Sequence, residues 1–177
     1  MLIDQTASPT LPALAGNAEV LPLSPRLLAA IAIDHARGAR FDVVAKPRPG
    51  ERTSARVRFG ATHDIWLIRW GPGSETVLHD HGGSAGVLYV AAGRLVEYRP
   101  DPARVGRTLR RELRERDHRA MSRAHVYEVS NESAVGAASI HVYSPPLETM
   151  GQYEVIDGHR LRMMRREVVE VDTFSTG

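Results

Sequence analysis

The sequence predicts an all-β chain, a small barrel or jelly roll preceded by a short helical region. Three observations carry this. Apolar and β-branched residues recur in short runs separated by Gly, Pro, Asn or Asp. No strand–helix–strand alternation follows the first helix, so a parallel α/β sheet is not expected. Gly73 to Gly93, GSETVLHDHGGSAGVLYVAAG, reads as a strand, a glycine-rich turn and a returning strand.

Residues 1–20 hold Pro, Ala and Thr without any period and are expected to be a flexible arm, leaving 21–177 as one domain. Ser24 and Pro25 suit the cap and first turn of a helix running through RLLAAIAIDHARG, with Leu27, Leu28, Ile31 and Ala32 at helical spacing and Gly38 at its end. His35 falls near that end and is expected on the helix surface.

Arg52 to Phe59 alternates in part, and Asp64 to Trp70, DIWLIRW, has the β-branched and aromatic content of a strand. Arg94 to Arg99 continues as a strand after Gly93. Thr108 to Asp117 has leucines four apart, a helical spacing, but a β-rich context favours a strand. His125 to Val129 and Ala137 to Tyr143 alternate. Asp157 and Gly158 mark a hairpin turn in the tail, and Glu167 to Val171 could form a last strand.

Composition narrows the function. With 25% charged and 42% hydrophobic residues the chain is an ordinary globular domain. It has no cysteine, which excludes disulfides, thiolate metal ligands and a cysteine nucleophile. Arginines gather in 104–119 and 160–166, but acidic or apolar residues interleave them and the formal net charge is only +2, so solvated faces rather than a nucleic-acid surface are expected. No helix-turn-helix segment is evident. No apolar run reaches the roughly 20 residues of a membrane span, and the N-terminus lacks the pattern of a signal peptide. A cytoplasmic monomer is the expectation.

The chemistry centres on His79 and His81. On a strand, side chains two apart share a face, so this pair aims two imidazoles at one point, as a metal site requires, while Leu78 and Asp80 face away. The spacing is fuller than the pair alone: Gly73, five residues, His79, one residue, His81, then Gly86, six residues, Gly93. This resembles the first signature motif of the cupin superfamily. Many cupins have a glutamate ligand where this chain has Gly86, so the resemblance turns towards cupins that bind iron through three histidines. Ser139, His141 and Tyr143 alternate within SIHVYSPP and would also share one face.

The hairpin HDHGGSAG, His125 and the stretch SIHVYSPP together resemble the cysteine dioxygenase family of thiol dioxygenases, over about Arg52 to Tyr153. The resemblance implies a double-stranded β-helix, Fe(II) held by His79, His81 and His125, and a Ser139–His141–Tyr143 relay beside it. Trp70 matches an aromatic residue packed near the tyrosine. Arg56 matches the arginine that grips the substrate carboxylate, with Arg52 and Arg58 close rivals; on a regular strand all three share a face. Some family members carry a cysteine at the Gly86 position, crosslinked to the tyrosine, and no such link can form here. Counted from His125, Asn131 stands two positions later than the asparagine of the vertebrate-type pattern.

The implied reaction adds both atoms of O2 to the sulfur of L-cysteine, giving cysteine sulfinate. With no protein carboxylate on the metal, a substrate thiolate would supply the negative charge. Enzymes of this family that take 3-mercaptopropionate tend to have a glutamine in place of the arginine; no glutamine lies between Gln5 and Gln152, which leans towards cysteine. A non-catalytic module that binds a metal or small molecule is the remaining alternative, and it would not need the Ser139–His141–Tyr143 row.

Overall fold

A computed structural model describes residues 21–158 and 160–169 of the chain. The expected arm at 1–20, His159 and the residues after 169 lie outside the described residues.

Helix α1 (Pro25–Ala36) begins where Ser24 accepts a hydrogen bond from the Leu27 amide. It is followed by β1 (Arg52–Phe59), β2 (Asp64–Trp70), β3 (Ala85–Ala92), β4 (Arg94–Pro100), β5 (Thr108–Arg114), β6 (His118–Met121), β7 (Glu128–Ser130), β8 (Ala137–Ser144), β9 (Thr149–Ile156) and β10 (Arg160–Val168). The leucine spacing of Thr108 to Asp117 therefore yields to the sheet: β5 pairs with β4 along its whole length. The hairpin strand after Asp157 and Gly158 runs on through Glu167 to Val168, so Glu167 lies within β10 rather than opening a new element. At the β9–β10 turn, Asp157 and Gly158 both take positive φ, as an Asp-Gly turn supplies.

Five strands form one sheet in the order β1-β2-β8-β3-β6, and three form a second, β5-β4-β7. The larger sheet is covered on both faces. Leu28 and Ala32 of α1 pack on Ile65, Leu67, Val87, Ile140 and Val142. Trp66, Ile68, Trp70, Leu88 and Tyr143 face inward to Leu95, Leu113 and Val129 of the smaller sheet. Double burial explains why β2 and β8 read as nearly continuous apolar runs.

Two local departures matter for the site. The arm before β3 is not a regular strand: it is tied by isolated bridges from Glu75 to Ser130 and from His79 to Tyr127 and Gln152. The pair in β1 and β2 shifts register between Arg56 and Arg58, so Arg52 and Arg56 oppose Trp70 and Trp66 while Arg58 opposes Ile65. A bulge of this kind sends the next side chain to the other face. Arg58 thus lies on the helix side, where its charge bears on His35, and the three arginines do not share a face.

Candidate active site

The inner face of the larger sheet and the bridged arm enclose a cavity of about 280 Å³. This is small beside the roughly 300–1,000 Å³ of drug-sized pockets. Its wall includes Arg52, Trp66, Trp70, His79, Tyr127, His141, Tyr143 and Met150, with Glu167 and Val168 of β10 closing one side.

His79 and His81 sit on the bridged arm, both buried, their rings 5.2 Å apart at 83°. The His79 backbone is clamped on Tyr127 by bonds in both directions. Its Nδ1 lies 2.8 Å from the Val77 carbonyl, an acceptor, so Nδ1 carries the proton and Nε2 is left as a lone-pair donor. Asp80 between them faces away, as alternation requires, and accepts from the Gly82 and Gly151 amides and the Tyr153 hydroxyl. Burial holds the His79 pKa down to about 4 and that of His81 well below the usual histidine range, so both imidazoles are neutral, the form that ligates a metal. His81 Nδ1 is buried and has no hydrogen-bond partner among the described residues.

His125 does not join this pair. It precedes β7 rather than lying in it, and its Nε2 meets Glu97 Oε1 at 2.6 Å. Glu97 also takes both contacts of Arg119 Nε, at 2.9 and 3.2 Å. Burial of Glu97 opposes its charge, but His125 and Arg119 outweigh this and lower its pKa. Tyr127 stands beside the pair instead, its ring centroid 4.9 Å from His79, 5.5 Å from His81 and 4.9 Å from His125. Among the described residues no three His, Cys, Asp or Glu side chains converge as a metal-binding group. The expected three-histidine set therefore does not fit, while His79 and His81 do fit as two ligands. The sequence held a signal for this: the two-position offset of Asn131 vanishes when counted from Tyr127 rather than His125. Asn131 is fully buried and pins this corner through the Gly71 and Val135 carbonyls.

The row on β8 is assembled as alternation predicts. Trp70 Nε1 donates to Ser139 Oγ at 2.8 Å, Ser139 Oγ lies 3.0 Å from His141 Nε2, and His141 Nδ1 lies 3.0 Å from the Tyr143 hydroxyl. Burial pulls the His141 pKa down to about 3 and pushes that of Tyr143 well up. Gly86 faces Tyr143 across the β3–β8 register, and a Cβ there would come within 2.9 Å of the tyrosine ring and of Met121 Cε. The close approach of Tyr143 and Met121 leaves no room for a Cβ at this position.

Arg56 is not on the cavity wall. It contacts the buried carboxylate of Asp64 at 3.5 Å and lies over the rings of Phe59 and Trp66. Arg52, opposite Trp70, lines the cavity. After burial, its charge is among the causes that move His79 and His141 towards the neutral form.

The arginines that gather in the sequence are largely ion-paired on exposed strands, with Glu112, Glu132 and Glu154 among their partners. No helix of the described residues is long and apolar enough to cross a membrane.

Among solved structures, a protein of Thermus thermophilus is 24% identical over 61% of this chain and 96% of its own, with a TM-score of 0.50. An uncharacterized conserved protein with a double-stranded β-helix domain, from Klebsiella pneumoniae, is 15% identical over 71% of this chain and 94% of its own, with a TM-score of 0.51. At these identities the likeness concerns the fold, which is the cupin double-stranded β-helix. The model of the family described as cysteine dioxygenase type I matches residues 25–155, from the first residue of α1 almost to the end of β9. A match of that extent, most of the chain, makes this protein a member of the cysteine dioxygenase type I family.

Proposed function

We propose that this protein is a metal-dependent thiol dioxygenase acting on a small thiol that carries a carboxylate, with L-cysteine as the first candidate and cysteine sulfinate as the product. The observation that carries the reading is that Arg52, His79 and the His141–Tyr143 row line one small cavity. Family membership supports the reaction class.

His79 and His81 would hold the metal, Fe(II) in this reading, which would supply the redox chemistry for adding O2 to sulfur. The remaining work belongs to the chain. Arg52 takes the place expected of Arg56: its planar guanidinium binds the substrate carboxylate through paired, charge-assisted hydrogen bonds. Trp70 can only donate, so Ser139 Oγ accepts from it, and in this reading the Ser139 hydroxyl proton goes to His141 Nε2. A neutral His141 then carries its proton on Nδ1 and donates to Tyr143 Oη. Tyr143, kept protonated by burial, has its O–H free to donate into the cavity, to the carboxylate or to oxygen on the sulfur. The contribution of the protein is orientation and charge rather than a nucleophile.

The test is O2 consumption by iron-loaded protein with L-cysteine, 3-mercaptopropionate and cysteamine, which lacks the carboxylate. The reading expects turnover with L-cysteine and loss of turnover with cysteamine. Preference for 3-mercaptopropionate would move the substrate within the family. No uptake with any thiol by protein that holds iron would favour the non-catalytic binding module.

A further inference from the structure

We propose that Tyr127 is the third protein ligand of the metal, so that the centre is a two-histidine, one-tyrosinate site rather than a three-histidine one. The proposal rests on the metal-dependent reading above but not on the identity of the thiol.

Position comes first. Tyr127 is fully buried, and its backbone is bridged to His79 on the arm that carries both imidazoles. Its Oη lies 3.5 Å from His81 Nε2, long for a hydrogen bond. Two donors that share one first-row metal at about 2.0–2.1 Å each stand roughly 3–3.5 Å apart. The Oη–Nε2 separation is therefore that of neighbouring ligands.

Unmet donors come second. His81 is 2% exposed, its Nδ1 has no partner among the described residues, and its Nε2 has only this long contact. Of the two, Nε2 faces Tyr127 and is the nitrogen available to a metal, and the ring proton then stays on Nδ1. His79 keeps Nε2 free because its other nitrogen is held by Val77. Among the described residues, His79 Nε2, His81 Nε2 and Tyr127 Oη thus have no close hydrogen-bond partner, the last two meeting each other at 3.5 Å.

The competing histidine is committed elsewhere. His125 Nε2 is 2.6 Å from Glu97, which Arg119 also holds. His125 packs on the ring of Tyr127, which stands between it and the pair's neighbourhood.

The chemistry differs from that of three neutral imidazoles. A phenolate adds one negative charge and a hard oxygen donor, which favours a trivalent over a divalent metal. The phenol proton leaves to solvent as the metal binds. Iron in this site should rest in the ferric state in air, with a phenolate-to-iron charge-transfer absorption in the visible.

The experiment uses the full-length protein loaded with Fe(II) under nitrogen, desalted, assayed for iron and then exposed to air without any thiol. Visible absorption and resonance Raman spectra are recorded for the wild type, Tyr127→Phe and Tyr127→His, with circular dichroism to check the fold of each. The expected result is one iron per chain and a visible band with tyrosinate vibrations in the wild type. Tyr127→Phe should lose the band and bind iron about tenfold or more weakly. Tyr127→His should bind iron without the band. Two results would overturn the proposal: iron in the wild type with no tyrosinate signature, or iron bound by Tyr127→His and not by the wild type, which would show that the phenol blocks the site. A tyrosinate band without any thiol oxidation would support the ligand set and remove only the substrate assignment.

Discussion

Trp70 and Ser139 lie 69 residues apart in sequence, and the indole N–H of one meets the hydroxyl of the other at 2.8 Å inside the sheet. Indole cannot accept, so Ser139 Oγ is the acceptor, and the bond anchors the hydroxyl that faces His141. Trp70→Phe keeps a ring in the core and removes the donor, leaving a buried hydroxyl short of one partner. We expect a loss of about 1–3 kcal/mol in denaturant unfolding, and a fall in kcat for thiol oxidation of about tenfold as Tyr143 loses its fixed orientation. Ser139→Ala should lower kcat similarly.

Arg52 and Arg56 separate binding from stability. Arg52→Gln should raise KM for L-cysteine about 10- to 100-fold, the worth of a charge-assisted pair, with little change in unfolding. Arg56→Gln should leave KM nearly unchanged. It removes a cation from Asp64, a fully buried carboxylate that burial already holds above its usual pKa, and should cost about 1–3 kcal/mol of stability. Steady-state kinetics and urea titrations on the two variants distinguish these outcomes.

The buried imidazoles predict how metal-free protein responds to acid. Burial lowers the folded pKa of His79 to about 4 and of His141 to about 3, against about 6.5 for a free histidine side chain. Between those values the unfolded chain binds more protons than the folded one, so stability rises with pH there. The contribution is fully present above about pH 6.5 and is lost as pH falls towards 4. Each such histidine adds a slope of roughly 1.4 kcal/mol per pH unit. His141→Gln should flatten the profile of unfolding free energy between pH 4.5 and 6.5.

Gly86 is a packing position. A Cβ there meets Tyr143 Cδ1 and Met121 Cε at 2.9 Å and the Val142 carbonyl at 3.1 Å. Gly86→Ala should destabilise by about 1–3 kcal/mol and reduce kcat by displacing the tyrosine. Differential scanning calorimetry and sulfinate assays check the two effects.

Much of this architecture was legible in the residues because two periodic signals are strong. Alternation on β8 places Ser139, His141 and Tyr143 on one face, and the short separation of His79 and His81 holds even though their arm is not a regular strand. What the sequence could not carry was a matter of register. The shift after Arg56 turns Arg58 to the helix side, and no residue pattern in RTSARVRF announces it. Nor does the residue pattern show that the buried carboxylate of Asp64 pairs with the Arg56 guanidinium. His125 and Tyr127 share a face by alternation, so only their partners separate them: Glu97 holds the first, and the histidine pair flanks the second.

The origin of the product oxygen tests thiol dioxygenation most directly. Iron-loaded protein is incubated with L-cysteine under ¹⁸O2, and the product is weighed by mass spectrometry. Dioxygenation gives cysteine sulfinate with both oxygen atoms labelled. Sulfinate labelled at one oxygen, or cystine alone from protein that holds iron, would contradict it.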